Sequence, residues 1–123
     1  VSMLCLAAAT LAVALPLQDF TLAWTHSIEK IRWEEDYRIR DGRIELLEAR
    51  IRGSGAGMEP PEGAVLKDGA WHYRPALPPL PALRITRSPY TADYSLCWSG
   101  ACHPLSEFLG PADQASVVEV HPC

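Results

Sequence analysis

Nowhere do the 123 residues reach about 20 consecutive apolar positions, the length an α-helix needs to cross a hydrocarbon core. The longest weakly polar run, Met3 to Leu17, falls short of it and argues against a permanent spanning helix. Positive charge is also scarce. The formal net charge is -4 and Lys and Arg are interspersed with Asp and Glu, so no basic stripe exists to neutralise phosphates and nucleic acid is not an expected partner. The Gly53-Ser54-Gly55-Ala56-Gly57 segment lacks the Lys-Ser/Thr ending and the strand-to-helix setting of a phosphate-cradling loop. A tight turn is expected there instead, and with Met58 and Glu59 it forms a loop able to rim a pocket. No internal repeat and no specific catalytic, metal or cofactor motif occurs, so neither an enzyme nor a cofactor is expected.

What is present begins with the apolar leader. No charge precedes Asp19, and the run has the length of a signal-peptide core with small residues at Ala12-Val13-Ala14 for cleavage. Residues 1–17 are therefore expected as a signal peptide or short membrane anchor, with a buried N-terminal strand as the alternative; 18–123 would form one all-β domain. The run departs from the usual signal in having no Lys or Arg before it. Export implies an oxidising compartment, which bears on the cysteines at 5, 97, 102 and 123. Leu4 immediately before Cys5 makes a poor lipoprotein cleavage site. Cys97 and Cys102 enclose Trp98-Ser99-Gly100-Ala101, and a hairpin turn at Ser99-Gly100 would set them face to face for a disulfide. Cys123 is the competing partner, and zinc with His103 is the less favoured use of so loose a spacing.

After the leader, strand signals recur with little room for helices. Phe20, Leu22, Trp24, His26 and Ile28 alternate with more polar neighbours, the period of a half-buried strand. Asp41-Gly42 predicts a hairpin pairing Ile39 with Ile44, Arg38 with Glu45 and Tyr37 with Leu46, with one apolar face and an ion pair on the other. A second hairpin is expected at Lys67-Asp68-Gly69-Ala70 with Leu66 opposite Trp71. Pro75 to Pro81 is too rich in proline for a central strand and reads as a crossover or edge. Short strands at 83–87, 94–98, 101–105 and 117–120 follow, with one helical turn near 104–110 ended by glycine. About seven to nine short strands at this spacing predict an antiparallel β-sandwich or small barrel.

Chemistry concentrates between Trp24 and Asp36. His26 and Ser27 are adjacent, but neighbours on a strand leave opposite faces, so they cannot act as base and nucleophile. His26 occupies the inward face. Extending the Asp41-Gly42 register pairs Glu35 with Glu48, and two carboxylates at one sheet position repel unless a cation, a histidinium or a shared proton intervenes. His26, Glu35 and Glu48 could then converge, as a polar structural network, a ligand or partner site, or a metal site. A β-bulge between Glu34 and Tyr37 would dissolve the cluster. Ser27 and Glu29 would form an outward edge open to a partner. Trp33, Trp71, Trp98 and Tyr90 are expected as core and rim aromatics, with Trp98 exposed at a hairpin tip. His72, His103 and His121 share no ligand spacing.

Trp24-Thr25-His26-Ser27-Ile28-Glu29, Trp33-Glu34-Glu35-Asp36-Tyr37-Arg38-Ile39, Gly53-Ser54-Gly55-Ala56-Gly57-Met58, Pro104-Leu105-Ser106 and Pro122-Cys123 together resemble the bacterial family called domain of unknown function 1850. The resemblance spans about Phe20 to Cys123, and the His-Ser-Ile-Glu and Gly-Ala-Gly-Met segments are its most specific parts. It implies a small exported, periplasmic, membrane-adjacent protein associated with tripartite ATP-independent periplasmic (TRAP) transporters of the TAXI type. The expected partner is then the transporter's membrane subunit or its substrate-binding protein. No activity is implied. The expectation is a non-enzymatic accessory or binding module, with a small-ligand or metal-binding protein built on the His/Glu cluster as the alternative. The binding candidates are His26, Ser27, Glu29, Glu35, Glu48, Gly55, Gly57 and Met58.

Overall fold

A computed structural model describes residues 2–26, 30–53, 61–113 and 116–123. Ser27, Glu29, Gly55, Gly57 and Met58 lie outside the described residues. Turn chemistry sets the frame. Asp41 (φ 53°) and Gly42 (φ 70°) both adopt the left-handed backbone of a two-residue hairpin turn, which Asp tolerates and Gly adopts freely. That turn joins β4 (Arg32–Arg40) to β5 (Arg43–Arg52) with Ile39 opposite Ile44, Arg38 opposite Glu45 and Tyr37 opposite Leu46. Asp68-Gly69 joins β6 (Val65–Lys67) to β7 (Ala70–Tyr73), and Ser99-Gly100 joins β9 (Ser95–Trp98) to β10 (Ala101–Pro104). With β3 (Asp19–Thr25) these strands form an antiparallel seven-stranded sheet in the order β10-β9-β3-β4-β5-β7-β6.

A second antiparallel sheet has the order β2-β1-β11-β8, from β1 (Leu4–Ala8), β2 (Leu11–Leu15), β8 (Leu83–Thr86) and β11 (Val117–Pro122). The two sheets make a β-sandwich with no closed barrel. Leu4, Leu6, Val118 and Val120 from the smaller sheet meet Phe20, Leu22, Tyr37, Ile39, Ile44 and Leu96 from the larger one. Leu105 and the short helix α1 (Ser106–Leu109) contribute further buried residues, Leu105 and Leu109, to the same core. Its position is fixed by Arg87, whose side chain is 1% exposed. Arg87 donates to both Asp93 carboxylate oxygens, at 2.9 and 3.0 Å, and to the Gly110 carbonyl, while Asp93 Oδ2 accepts from the Ser106 amide. Those bonds hold the Asp93 carboxyl below the usual range although burial pushes it up. The proline-rich segment runs as an edge crossover, joined to β5 where Leu80 and Ile44 exchange backbone hydrogen bonds.

The N-terminal run forms a buried strand, the alternative to a leader: Leu4, Leu6 and Ala8 alternate into the core, and Cys5 is bonded to Cys123 across the β1–β11 pair. Two strands beyond the expected seven to nine follow from this, giving 11 among the described residues. The reason is physical: a short uncharged run satisfies a signal core and a buried strand equally well, and only the tertiary partner separates them. Cleavage near Ala12-Val13-Ala14 would remove β1 together with Cys5. Cys97 and Cys102 form the expected second disulfide, opposite each other in the β9–β10 register.

Candidate functional site

Three consecutive carboxylates, Glu34-Glu35-Asp36, sit at the middle of β4, and strand alternation sends them to opposite faces. On the outer face of the seven-stranded sheet the registers align Thr21 with Asp36 and Glu48, Ala23 with Glu34, Arg50 and His72, and Thr25 with Arg32 and Arg52. Arg50 clamps both oxygens of Asp36 at 2.6 and 2.7 Å and donates through Nε to Glu34 Oε1 at 3.0 Å. Glu34 also accepts from Arg52 at 2.9 Å and from Arg32 at 3.0 Å, so three guanidinium groups share one carboxylate. The Thr21 hydroxyl donates to Asp36 at 2.6 Å. Burial pushes both carboxyls up, but the guanidinium hydrogen bonds and charges outweigh it and hold Glu34 and Asp36 below their ordinary range. The Asp36 hydrogen bonds in turn raise the Arg50 guanidinium. Such bidentate, charge-assisted contacts lock side chains that would otherwise be mobile.

Glu35 lies on the inner face, in the row Leu22, Glu35, Ala49, Tyr73. No arginine reaches it among the described contacts. Its Oε1 accepts from the Tyr37 hydroxyl at 2.9 Å, and burial raises its pKa despite that bond. Burial raises the Tyr37 phenol as well, and the charge of Glu35 adds to it. The phenols of Tyr73 and Tyr94 are raised the same way, by burial first and Glu35 second. Tyr94 packs on Trp24, which stacks on Trp33, so Glu35 borders an aromatic cluster.

The expected pairing of Glu35 with Glu48 does not occur. A β-bulge between Asp36 and Tyr37 makes Leu47 the extra residue of β5, so Glu48 faces Asp36 and Glu35 faces Ala49. Glu48 thereby leaves the inner face and contacts Nδ1 of His72, whose Nε2 lies 3.2 Å from the Lys67 carbonyl. His26 is elsewhere again, at the end of β3. Its amide donates to the Ile31 carbonyl and its own carbonyl accepts from Lys30, both at 2.9 Å. It lines a recess of about 210 Å³ with Trp24, Thr86, Thr91, Ala92 and Tyr94. His26, Glu35 and Glu48 thus occupy three separate places. A larger cleft of about 550 Å³ opens beside the end of β7, lined by Glu48, Glu62, Lys67, His72, Tyr73 and Arg74.

Several polar residues central to this arrangement, Glu34, Asp36, Arg50 and His72, were not singled out by sequence reasoning. A signal for them existed. Without the bulge, Trp33 would face Arg50 and Glu34 would face Ala49, mismatching polarity at both positions; shifting by one residue pairs Trp33 with Ile51 and Glu34 with Arg50. Two other expectations also change. Arg38 stands opposite Glu45, yet its guanidinium turns to Asp19 at 2.9 and 3.3 Å. Tyr90 is 94% exposed, while Trp98 packs half-buried against the core and stacks on His103.

A family model described as domain of unknown function (DUF1850) matches residues 20–105. The chain belongs to that family. No curated protein and no solved structure matches it.

Proposed function

For a DUF1850 member built this way, we propose a non-enzymatic, exported accessory module that binds a component of a TAXI-type TRAP transporter at the periplasmic face of the membrane. The partner is the membrane subunit or the substrate-binding protein, as the family resemblance implies. The observation that carries the reading is the outer face of the seven-stranded sheet, where Arg32, Arg50 and Arg52 are fixed around Glu34 and Arg50 holds Asp36. Its carboxylates are engaged in ion pairs, which suits a preorganised recognition surface better than a general base. Two disulfides support export, because such bonds persist in oxidising compartments. Recovery of the tagged full chain, co-expressed with both transporter components in mild detergent, tests the proposal. Either component is expected to co-purify. Arg32→Ala with Arg52→Ala, two partly exposed arginines at the edge of the cluster, should weaken capture several-fold while the chain stays folded. Repeated failure to recover either component overturns it.

A second reading rests on the cleft beside Glu48 and His72, whose size suits a small polar ligand. Among the described residues no group of three or more His, Cys, Asp or Glu could hold a metal ion, which favours an organic ligand over a metal. Thermal shifts with divalent ions and with small organic acids and amines discriminate, since a ligand confined to the native state raises the melting temperature. Flat melting temperatures across such a panel remove this reading.

A further inference from the structure

The two disulfides differ in what they hold together and in what surrounds them. Cys5 and Cys123 are 118 positions apart, whereas Cys97 and Cys102 are five apart and face each other in a hairpin. That hairpin is already closed by the Ser99-Gly100 turn, by the pairs Trp98–Ala101, Leu96–His103 and Ser95–Pro104, and by the stacking of Trp98 on His103. In the chain-entropy account a disulfide stabilises more as its loop lengthens, so the short bond contributes the lesser share and can open with the fold intact. The registers place Cys102, Cys97, Thr21 and Asp36 in one row on the outer face of the larger sheet, with Cys102 exposed and Cys97 half-buried. Arg32 reaches this bond: its Nη2 lies 3.7 Å from Cys102 Sγ while its Nε donates to Glu34. The cluster to which Arg32 belongs sets three guanidiniums, Arg32, Arg50 and Arg52, against two carboxylates, Glu34 and Asp36. Glu48 and Glu107 each contact a histidine instead, His72 and His103, and Asp19 is held by Arg38. A thiolate on Cys102 would be the third anion for the third guanidinium.

We propose that Cys97–Cys102 is a thiol-exchange site, opened by small thiols and closed by their disulfides, in which Arg32 stabilises the departing Cys102 sulfur. A thiolate attacks Cys97 Sγ, a new S–S bond forms to the attacker, and the Cys97–Cys102 bond breaks with its electron pair left on Cys102 as a thiolate beside Arg32. A second thiolate attacks the sulfur of the first thiol in this mixed disulfide. Cys97 then leaves as a thiolate and takes a proton from water, while the two small thiols depart joined as a disulfide. Two electrons pass from the thiols to the protein, and the reverse steps return them. The surroundings choose the leaving sulfur, because a neighbouring guanidinium lowers a thiol's pKa and the more acidic thiol leaves faster. Cys102 has that neighbour. Cys97 faces Thr21, whose hydroxyl is committed to Asp36 at 2.6 Å.

Treating the full, disulfide-bonded chain with reduced glutathione under native conditions, trapping free thiols with iodoacetamide and mapping the peptides by mass tests the proposal. Cys97–Cys102 should open at least about tenfold faster than Cys5–Cys123, with an unchanged circular dichroism spectrum. The trapped intermediate should carry glutathione on Cys97 and the alkyl group on Cys102. Arg32→Gln should slow the opening several-fold, whereas Arg38→Gln, which removes an equal charge from the Asp19 pair, should leave the rate unchanged. A pH profile separates charge from structure. Once Cys97–Cys102 is reduced, Cys102 should reach half-maximal alkylation at a lower pH than Cys97, and Arg32→Gln should erase that difference. Equal opening rates for the two disulfides overturn the proposal, as do glutathione found on Cys102, unfolding that accompanies the opening, or an Arg32→Gln variant with the rate and pH profile of the wild type.

Discussion

Glu34 and Asp36 on one side of β4 and Glu35 on the other are adjacent in sequence, yet their carboxyls shift in opposite directions. All three pay for burial. On the outer face three arginines return more than that cost, whereas on the inner face Glu35 has one phenolic hydrogen bond, which does not. Partner supply decides the sign, and strand alternation decides the partner supply. The difference has a consequence for stability. A carboxyl lowered in the folded state stabilises above its unfolded pKa and loses that contribution as the pH falls through its folded value. A raised one favours the fold most below its unfolded pKa, and that preference is lost as the pH climbs through the folded value.

The comparison breaks most completely when the shared counter-charge is removed. Arg50→Ala leaves Asp36 without its guanidinium clamp and Glu34 with two arginines, and should cost about 2–3 kcal/mol in urea denaturation at neutral pH, somewhat less than a fully buried pair because Asp36 is partly exposed. A loss below about 0.5 kcal/mol would place the cluster among surface ion pairs of little consequence. Asp36→Asn is a smaller perturbation, expected to cost about 1–2 kcal/mol at pH 7. Its deficit should close as the pH falls through the carboxylate range, because the wild type then surrenders the same contribution. A deficit independent of pH would trace the effect to packing. Glu35→Gln sharpens the comparison with the smallest effect and the opposite sign. The amide still accepts from Tyr37 and carries no charge to desolvate, so the variant should exceed the wild type in denaturation midpoint at neutral pH and match it below about pH 4, near the unfolded Glu value. Equal midpoints at every pH would mean that Glu35 is better solvated than its position indicates.

The hairpins were legible because their turns are chemical: Asp-Gly and Ser-Gly pairs accept left-handed backbone, and each fixed a register that the structure retains near the turn. Legibility ended at Leu47. A bulge reverses the facing of everything beyond it, so the predicted meeting of Glu35 and Glu48 failed while the nearer pairs held. The N-terminal hairpin was hidden for another reason, since Ala9-Thr10 is no turn signature even though Ala9 adopts φ 51°. The His72–Glu48 contact depends on both the bulge and the β5–β7 pairing, neither of which is local in sequence.

The Cys5–Cys123 bond has a mechanical consequence. It ties β1 to Cys123, just past β11, at a sequence separation of 118, and closes everything between into a covalent ring. Tension applied through residues flanking this bond passes along it and not through the sheets between. Under load the module acts as a fixed bead that cannot be drawn out until a reductant opens it, and cutting one of its loops would leave the two pieces joined through this bond.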